Sequence, residues 1–140
     1  MIAQSHEVRV RTRGNDHIQD VTQQLAAIVE GSGIATGQLT VMVIGSTAAL
    51  TTLEFEPGLV NHDVTALLER LAPRDGVYEH ERTWNDDNGH SHLRASLIGP
   101  SLALPIVDGR LPLGTWQQVV LVDCDTRARD RRLAVTVLGV

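Results

Sequence analysis

The 140-residue sequence contains no lysine, so all 12 of its basic residues are arginine. Enzymes that form a Schiff base or hold pyridoxal phosphate need a lysine, and so does the phosphate-binding P-loop. The sequence excludes these chemistries. A net charge of −5 and a pI near 5.6 also disfavour nucleic acid as a partner, because nucleic-acid-binding proteins gain affinity by placing basic groups against phosphates.

Cysteine is almost absent as well, since Cys124 is the only one. A lone cysteine forms neither a disulfide within the chain nor a thiolate metal cluster, which suits a reducing compartment. No apolar run approaches the ~20 residues that span a bilayer, and the N-terminus does not resemble a signal peptide. We therefore expect a cytoplasmic protein with no membrane partner, folded as one domain over residues 1–140.

Hydrophobic periodicity predicts strands and helices in a mixed order. Apolar residues three and four apart predict one helix from about residue 16 to Gly31 and a second over Val60–Leu71, with a short third helix over Leu93–Leu97. Residues 74–92 are predicted to form one long polar loop. Strands are predicted at 7–13, 38–44, 48–55, 102–107, 115–123 and 133–138, with a hairpin turn at Asp108-Gly109 that leads to Leu111. Six or seven strands with two main helices indicate a compact α+β layer architecture.

Three of the six histidines, His80, His90 and His92, fall within thirteen residues. Neutral imidazoles are the commonest ligands of divalent transition metals. In an extended segment His90 and His92 would share one face and bind one ion, whereas on a helix they would diverge by about 200°. Polar residues of the same stretch would then orient an imidazole or act as a general base; they are Glu79, Glu81, Asp86, Asp87 and Asn88. The alternative is that these side chains simply decorate a solvated loop.

Other polar groups suit an anionic or heterocyclic ligand. Ser46 and Thr47 follow a glycine and would meet a phosphate, unless they only end a strand. Glu54 lies between two apolar residues and faces either solvent or a site. Arg110 and the segment 114–117 combine a guanidinium, a hydroxyl and an amide. The arginines of residues 127–132, diluted by nearby aspartates, are interpreted as a solvated hairpin edge.

Residues from His90 to Gln117 resemble the YjbQ family, small proteins grouped as secondary thiamine-phosphate synthases. The matching stretches are H-S-H-L-R-A-S-L-I-G-P-S, then I-V-D-G-R-L, then L-G-T-W-Q, and weaker similarity extends from Arg9 onward. The resemblance implies a compact α+β homotrimer with polar pockets near its subunit boundaries and a metal-bound histidine cluster. The implied activity couples hydroxymethylpyrimidine diphosphate to a thiazole phosphate, which gives thiamine phosphate and pyrophosphate.

These matches, together with the hydroxyls of Ser46 and Thr47 noted above, lead us to expect roles for particular residues of this chain. His80, Glu54 and Asp63 are expected to be catalytic, and His90 and His92 are expected to bind a divalent metal, zinc or magnesium. The residues expected to bind a small anionic substrate are Ser46, Thr47, Ser96, Arg110, Thr115 and Gln117. One departure stands out, because Gly45 occupies the place of a family histidine. The alternative is therefore a non-catalytic or altered trimer that binds a metal or a small anion, and a metal-dependent hydrolase is a third reading.

Overall fold

The computed structural model describes all 140 residues. Seven strands and four helices follow one another in this order: β1 (Ile2–Thr12), β2 (His17–Asp20), α1 (Thr22–Ser32), β3 (Thr36–Ile44), β4 (Ala48–Glu54), α2 (Val64–Leu71), α3 (Glu79–Trp84), α4 (Gly89–Ile98), β5 (Ser101–Val107), β6 (Gln117–Asp123) and β7 (Arg129–Gly139). A wide helical turn over Leu59–Asp63 leads into α2. None of the helices combines the length and the apolar character that crossing a membrane requires.

The strands form two antiparallel sheets, one in the order β1-β7-β3-β5 and the other in the order β2-β6-β4. Strand residues alternate between the two faces of a sheet, so every second residue of β3 and β7 points inward. Leu39 and Leu133 of the first sheet pack with Leu50 and Leu121 of the second, and Leu25 of α1 joins the same core. The predicted α+β class is confirmed.

A second core covers the outer face of the smaller sheet. Val120 and Val122 of β6 pack there with Leu68 of α2, and Ile98 of α4 contacts the same cluster. The central strand β6 is therefore buried on both faces, which explains its continuous apolar run. In this layer α4 packs on β4 of the smaller sheet and α3 packs on α4, so the histidines of the two helices come together.

Two of the predicted elements were wrong. The first helix begins only at Thr22, because His17–Asp20 pairs with β6 as a strand and the Asp20 carboxylate accepts the Thr22 N–H at 2.9 Å. The long polar loop over 74–92 contains α3 and the first turn of α4. The short helix predicted over Leu93–Leu97 is confirmed as the second half of α4, but the N-terminal part of α4 was missed because buried polar residues such as His90 carry no hydrophobic periodicity.

The Asp108-Gly109 turn is present, but it does not open a full hairpin. Asp108 and Gly109 have φ of 50° and 74°, the left-handed values that a tight hairpin turn of this kind requires. Beyond the turn a single bridge links Val107 to Arg110, and Leu111 pairs with no strand. The chain leaves the sheet there and forms the surface segment that precedes β6.

Cys124 supplies a probe of global unfolding. It is 1% exposed, and burial raises the pKa of its thiol, so the reactive thiolate is suppressed in the folded chain. We expect an aromatic disulfide reagent to label Cys124 only as fast as the protein unfolds, with the labelled fraction following the urea transition seen by circular dichroism. Rapid labelling in native buffer would contradict this burial.

Candidate functional site

The histidines meet at the corner between α3 and α4. His80 lies on α3 and His92 on α4, with their ring centroids 4.6 Å apart. The expectation that His90 and His92 share one face of an extended segment was wrong, because both lie on the first turn of a helix, where residues two apart diverge. His92 is half-buried beside His80, whereas His90 is 2% exposed and lies nearer to Tyr78.

Two carboxylates converge on His80. Its Nδ1 lies 3.0 Å from Asp86 Oδ1 and 3.4 Å from Glu81 Oε1. One ligand atom from each of the three residues lies within 4.8 Å of the other two. Sequence reasoning gave Glu81 and Asp86 only a supporting role, because the turn that brings them onto His80 has no sequence signature of its own. This donor set of one imidazole and two carboxylates is chemically suited to zinc.

Local backbone geometry fixes this corner. Asn85 ends α3 in the left-handed conformation with φ 53°, which reverses the chain toward α4. The Gly89 N–H then donates to Glu81 Oε1 at 2.6 Å. A Cβ at Gly89 would lie 2.5 Å from that oxygen and 2.8 Å from the Tyr78 Cβ, so only glycine fits. A cleft of about 280 Å³ opens beside the corner, lined by Tyr78, Glu79, His80, Gly89, His92 and Leu93.

His90 belongs to different surroundings beneath α4. Arg94, 3% exposed, donates to Asp16 Oδ2 at 2.6 Å and to the Ala72 carbonyl at 2.9 Å, and it also pairs with Glu69. Burial first, and then the charge of Arg94, lowers the pKa of His90, so its ring is neutral near pH 7. Its Nδ1 has no hydrogen-bond partner. The geometry therefore separates His90 from the cleft that His80 and His92 line.

The hydroxyl of Thr47 is already engaged. Thr47 is 5% exposed; its Oγ1 donates to Asp125 Oδ2 at 3.0 Å and accepts from Arg131 Nη2 at 2.7 Å. Arg131 in turn holds Asp123 through two bonds of 2.7 and 2.8 Å. Thr47 is thus part of a buried ion-pair network, contrary to its predicted role at a phosphate. Its neighbour Ser46 is exposed.

Arg131 itself corrects the interpretation of the 127–132 arginines as a solvated edge. It is 7% exposed because it lies on the same face of β7 as Leu133, two residues on. The alternation along β7 could be seen in the sequence. The carboxylates that compensate the buried guanidinium could not be assigned to it, because they come from β6 and the loop after it. Arginine is therefore part of the interior at this end of the sandwich.

Arg131 also occupies the space beside Gly45. Gly45 has φ +140°, and a Cβ there would lie 2.7 Å from Arg131 Nη1. The guanidinium cannot move aside freely, because Asp123 and Thr47 hold it. The space in which the resemblance predicts a histidine side chain is thus occupied by the Arg131 guanidinium from β7.

Substitution of Gly45 is expected to be destabilising. Gly45→Ala places a Cβ in a backbone conformation reserved for glycine and against a clamped guanidinium, so we expect a loss of about 1–3 kcal/mol in the free energy of unfolding. Gly31, where an added Cβ meets nothing within 4 Å, offers a matched control as Gly31→Ala. Urea unfolding of both variants measures the difference, and equal stabilities would contradict the close approach.

The remaining predicted residues lie at the other end of the smaller sheet. Ala48 of β4 pairs with Asp123 near Thr47, whereas Glu54 pairs with Gln117 at the opposite end. Six residues of strand separate these ends by about 20 Å. The histidine corner lies toward the Asp123 end, since Asp87, between α3 and α4, accepts from the Thr126 hydroxyl at 3.0 Å.

Glu54 and Thr115 line one cleft of about 360 Å³, and Arg110 and Gln117 line another of about 410 Å³ beside α1. Asp63 is exposed in the wide turn, where its carboxylate lies 2.8 Å from the His62 ring. Ser96 is exposed on α4 and donates to the Leu93 carbonyl at 2.8 Å. Within one chain the predicted residues therefore do not form a single site.

Comparison with known proteins places this fold in a family. The family model described as UPF0047 protein YjbQ-like matches residues 6–140. A UPF0047 protein of Methanothermobacter thermautotrophicus is 36% identical over 135 residues, which cover 96% of this chain and 92% of that protein. UPF0047 protein YjbQ of Escherichia coli O157:H7 is 35% identical over 103 residues, 74% of each chain.

Solved structures agree. The crystal structure of a protein of unknown function from Sulfolobus solfataricus P2, described as YbjQ-like, has a TM-score of 0.92 at 32% identity and covers 99% of both chains. A yjbq/upf0047 family protein of Clostridium acetobutylicum has a TM-score of 0.85 at 31% identity, covering 95% of this chain and 99% of that one. The resemblance predicted from the sequence is confirmed: the chain belongs to the UPF0047, YjbQ-like family.

Proposed function

We propose that the cleft between α3 and α4 binds a divalent metal ion together with the diphosphate group of a small substrate, and that the chain forms thiamine phosphate there. The observation that supports this proposal is the convergence of His80, Glu81 and Asp86 within 4.8 Å, with the His92 ring beside them. This pairing of His80 with His92 replaces the pairing of His90 with His92 that the sequence suggested.

The residues present fit a divalent ion. An imidazole nitrogen and carboxylate oxygens are zinc ligands, and carboxylates also bind magnesium. When bound, such an ion would supply positive charge to a diphosphate leaving group. His92, half-buried in the same cleft, would donate a hydrogen bond to that group. The Tyr78 and Leu93 side chains would shield the reacting atoms from water.

The reaction itself is a displacement. The thiazole nitrogen forms a bond to the methylene carbon of the pyrimidine as the bond from that carbon to the diphosphate oxygen breaks. The bonding electrons leave with the diphosphate, so negative charge grows on it while the thiazole ring becomes cationic. Stabilisation of this growing charge is the main task of the site.

Arg110 and Gln117 fit into this proposal through assembly. Gln117 lies about 20 Å along the sheet from the Asp123 end, and Arg110 lines the same cleft as Gln117, so neither reaches the substrate of the histidine cleft within one chain. In a homotrimer, which the family resemblance implies, the Arg110 cleft of one subunit would face the histidine cleft of the next. Arg110 is exposed and would bind the phosphate of the thiazole substrate.

An assay with the two substrates tests the proposal. Purified protein is mixed with hydroxymethylpyrimidine diphosphate and thiazole phosphate, with and without added magnesium or zinc, and thiamine phosphate is quantified. We expect metal-dependent product that is lost in His80→Ala and kept in His6→Ala, which alters an exposed histidine of β1. Product formation no greater than in His80→Ala would reject the reaction.

A site formed by residues of two subunits leads to a further prediction. Sedimentation should show three chains per particle, and mixed particles of His80→Ala and Arg110→Ala subunits should regain activity that neither variant has alone. A monomer, or mixed particles without activity, would overturn the shared site.

A second candidate function is binding of a metal or small anion without turnover. The observation in its favour is Gly45, with the Arg131 guanidinium in the space of the family histidine. In that case the protein would bind zinc at the α3–α4 corner and yield no thiamine phosphate under any metal condition. The same assay, run beside a zinc-binding measurement, separates the two functions.

A further inference from the structure

A cleft at the far end of the smaller sheet has a composition unlike the rest of the surface. It encloses about 360 Å³ between the end of β4 and the segment before β6, and it is lined by Asp20, Glu54, Phe55, Glu56, Pro57, Thr115, Trp116 and Gln118. Phe55 and Trp116 are two of only four aromatic residues in the chain. They are 43% and 72% exposed, so both aromatic side chains are accessible to solvent in this one cleft.

The charge of the cleft is uniformly negative. Three of the lining residues are acidic, none is basic, and none of the three acids takes part in an ion pair. The Asp20 carboxylate is fixed by the Thr22 N–H at 2.9 Å, and that of Glu56 by the Gly58 N–H at 2.7 Å. Glu54 has no such partner and remains available.

The aromatic rings are held on a braced segment. Gln117 Oε1 accepts the Gly114 N–H at 3.0 Å, and its Nε2 donates to Thr52 Oγ1 at 3.1 Å, so the turn that carries Trp116 is tied to β4. Phe55 directly follows β4. The two aromatics are therefore supported by paired strands, and such a preformed arrangement reduces the entropy lost on binding.

We propose that this cleft binds a small organic cation with a quaternary ammonium or N-alkylated heteroaromatic head. Such a cation is attracted to the faces of tryptophan and phenylalanine and to the neighbouring carboxylates, and it sheds its weak hydration easily. A strongly hydrated inorganic cation would gain less from the two rings, because it would first have to lose water, and an anion would be repelled by three acids. The proposal does not depend on the metal corner, which lies toward the other end of the sheet.

Tryptophan fluorescence tests the proposal. Trp84 is 71% exposed on α3, so Trp84→Phe should fold normally and leave Trp116 as the only tryptophan. Choline and N-methylthiazolium are titrated against this variant, with 3,3-dimethylbutanol as the neutral analogue of choline. We expect a saturable change in Trp116 emission with both cations and a response at least about 5-fold weaker with the alcohol.

Two further variants decide the assignment. Glu54→Gln should weaken cation binding by about 3-fold to 30-fold, whereas Glu30→Gln, on α1 outside this cleft, should leave it unchanged. His80→Ala should also leave it unchanged, so failure of cation binding and failure of the proposed transfer are separate results. Equal responses to choline and the alcohol, or full binding by Glu54→Gln, would overturn the proposal. A response to only one cation would narrow the ligand to that head group.

Discussion

Replacement of Arg131 with methionine is expected to lower the free energy of unfolding by about 3–5 kcal/mol, because it leaves a buried carboxylate without its partner. Asp123 is fully buried, and Arg131 supplies two of its hydrogen bonds. The Thr12 hydroxyl donates to the same carboxylate at 2.5 Å but carries no charge. Urea unfolding followed by circular dichroism measures the loss.

The chain contains its own control for this substitution. Arg132 is the next residue, half-exposed, and it lies 3.8 Å from Glu7 at the surface. Arg132→Met should cost no more than about 1 kcal/mol, since exposed ion pairs contribute little. The double variant Arg131→Met/Asp123→Asn should recover part of the loss, because no buried charge remains. Equal losses of unfolding free energy in Arg131→Met and Arg132→Met would show that the buried ion pair stabilises the protein no more than the exposed one.

His80→Ala is expected to weaken zinc binding by about 100-fold or more. Loss of groups that only orient a ligand already costs about 10-fold to 100-fold, and His80 would be a ligand itself. Isothermal titration calorimetry with zinc measures the change. The matched variant is His90→Gln, which alters the buried histidine that does not line the cleft and should leave the affinity nearly unchanged. A larger loss of zinc affinity in His90→Gln than in His80→Ala would indicate that His90, and not His80, binds the metal.

The fold was predictable to the extent that it follows from apolar alternation. The strands β3, β4 and β6 and the helix α2 have clear periodicity, and the structure contains them close to their predicted places. Only the second half of the helix α4 was predicted in this way, because its inner face carries the polar residues His90 and Arg94. Its stability comes from partners distant in sequence, such as Asp16, and no local pattern reports those.

The candidate site was predictable only in part. His80 and His92 were named from their residue type and proximity, but the partner of His92 depends on whether the segment is a strand or a helix. The grouping of Glu54 and Arg110 with the histidines followed from family motifs, which do not state distances. In the structure Glu54 lies at the Gln117 end of β4 and β6, and Arg110 shares a cleft with Gln117, whereas the histidine corner lies toward the Asp123 end. Arg131 was missed because arginine is seldom buried unless it is paired, and its pairs are distant in sequence.

Anomalous diffraction at the zinc edge, from crystals grown with zinc, shows whether the α3–α4 corner binds the ion. We expect one strong peak per chain at that corner, with His80 and at least one of Glu81 and Asp86 at about 2.0–2.2 Å from the ion. A peak at His90, or no peak at this corner with zinc in excess, would contradict it.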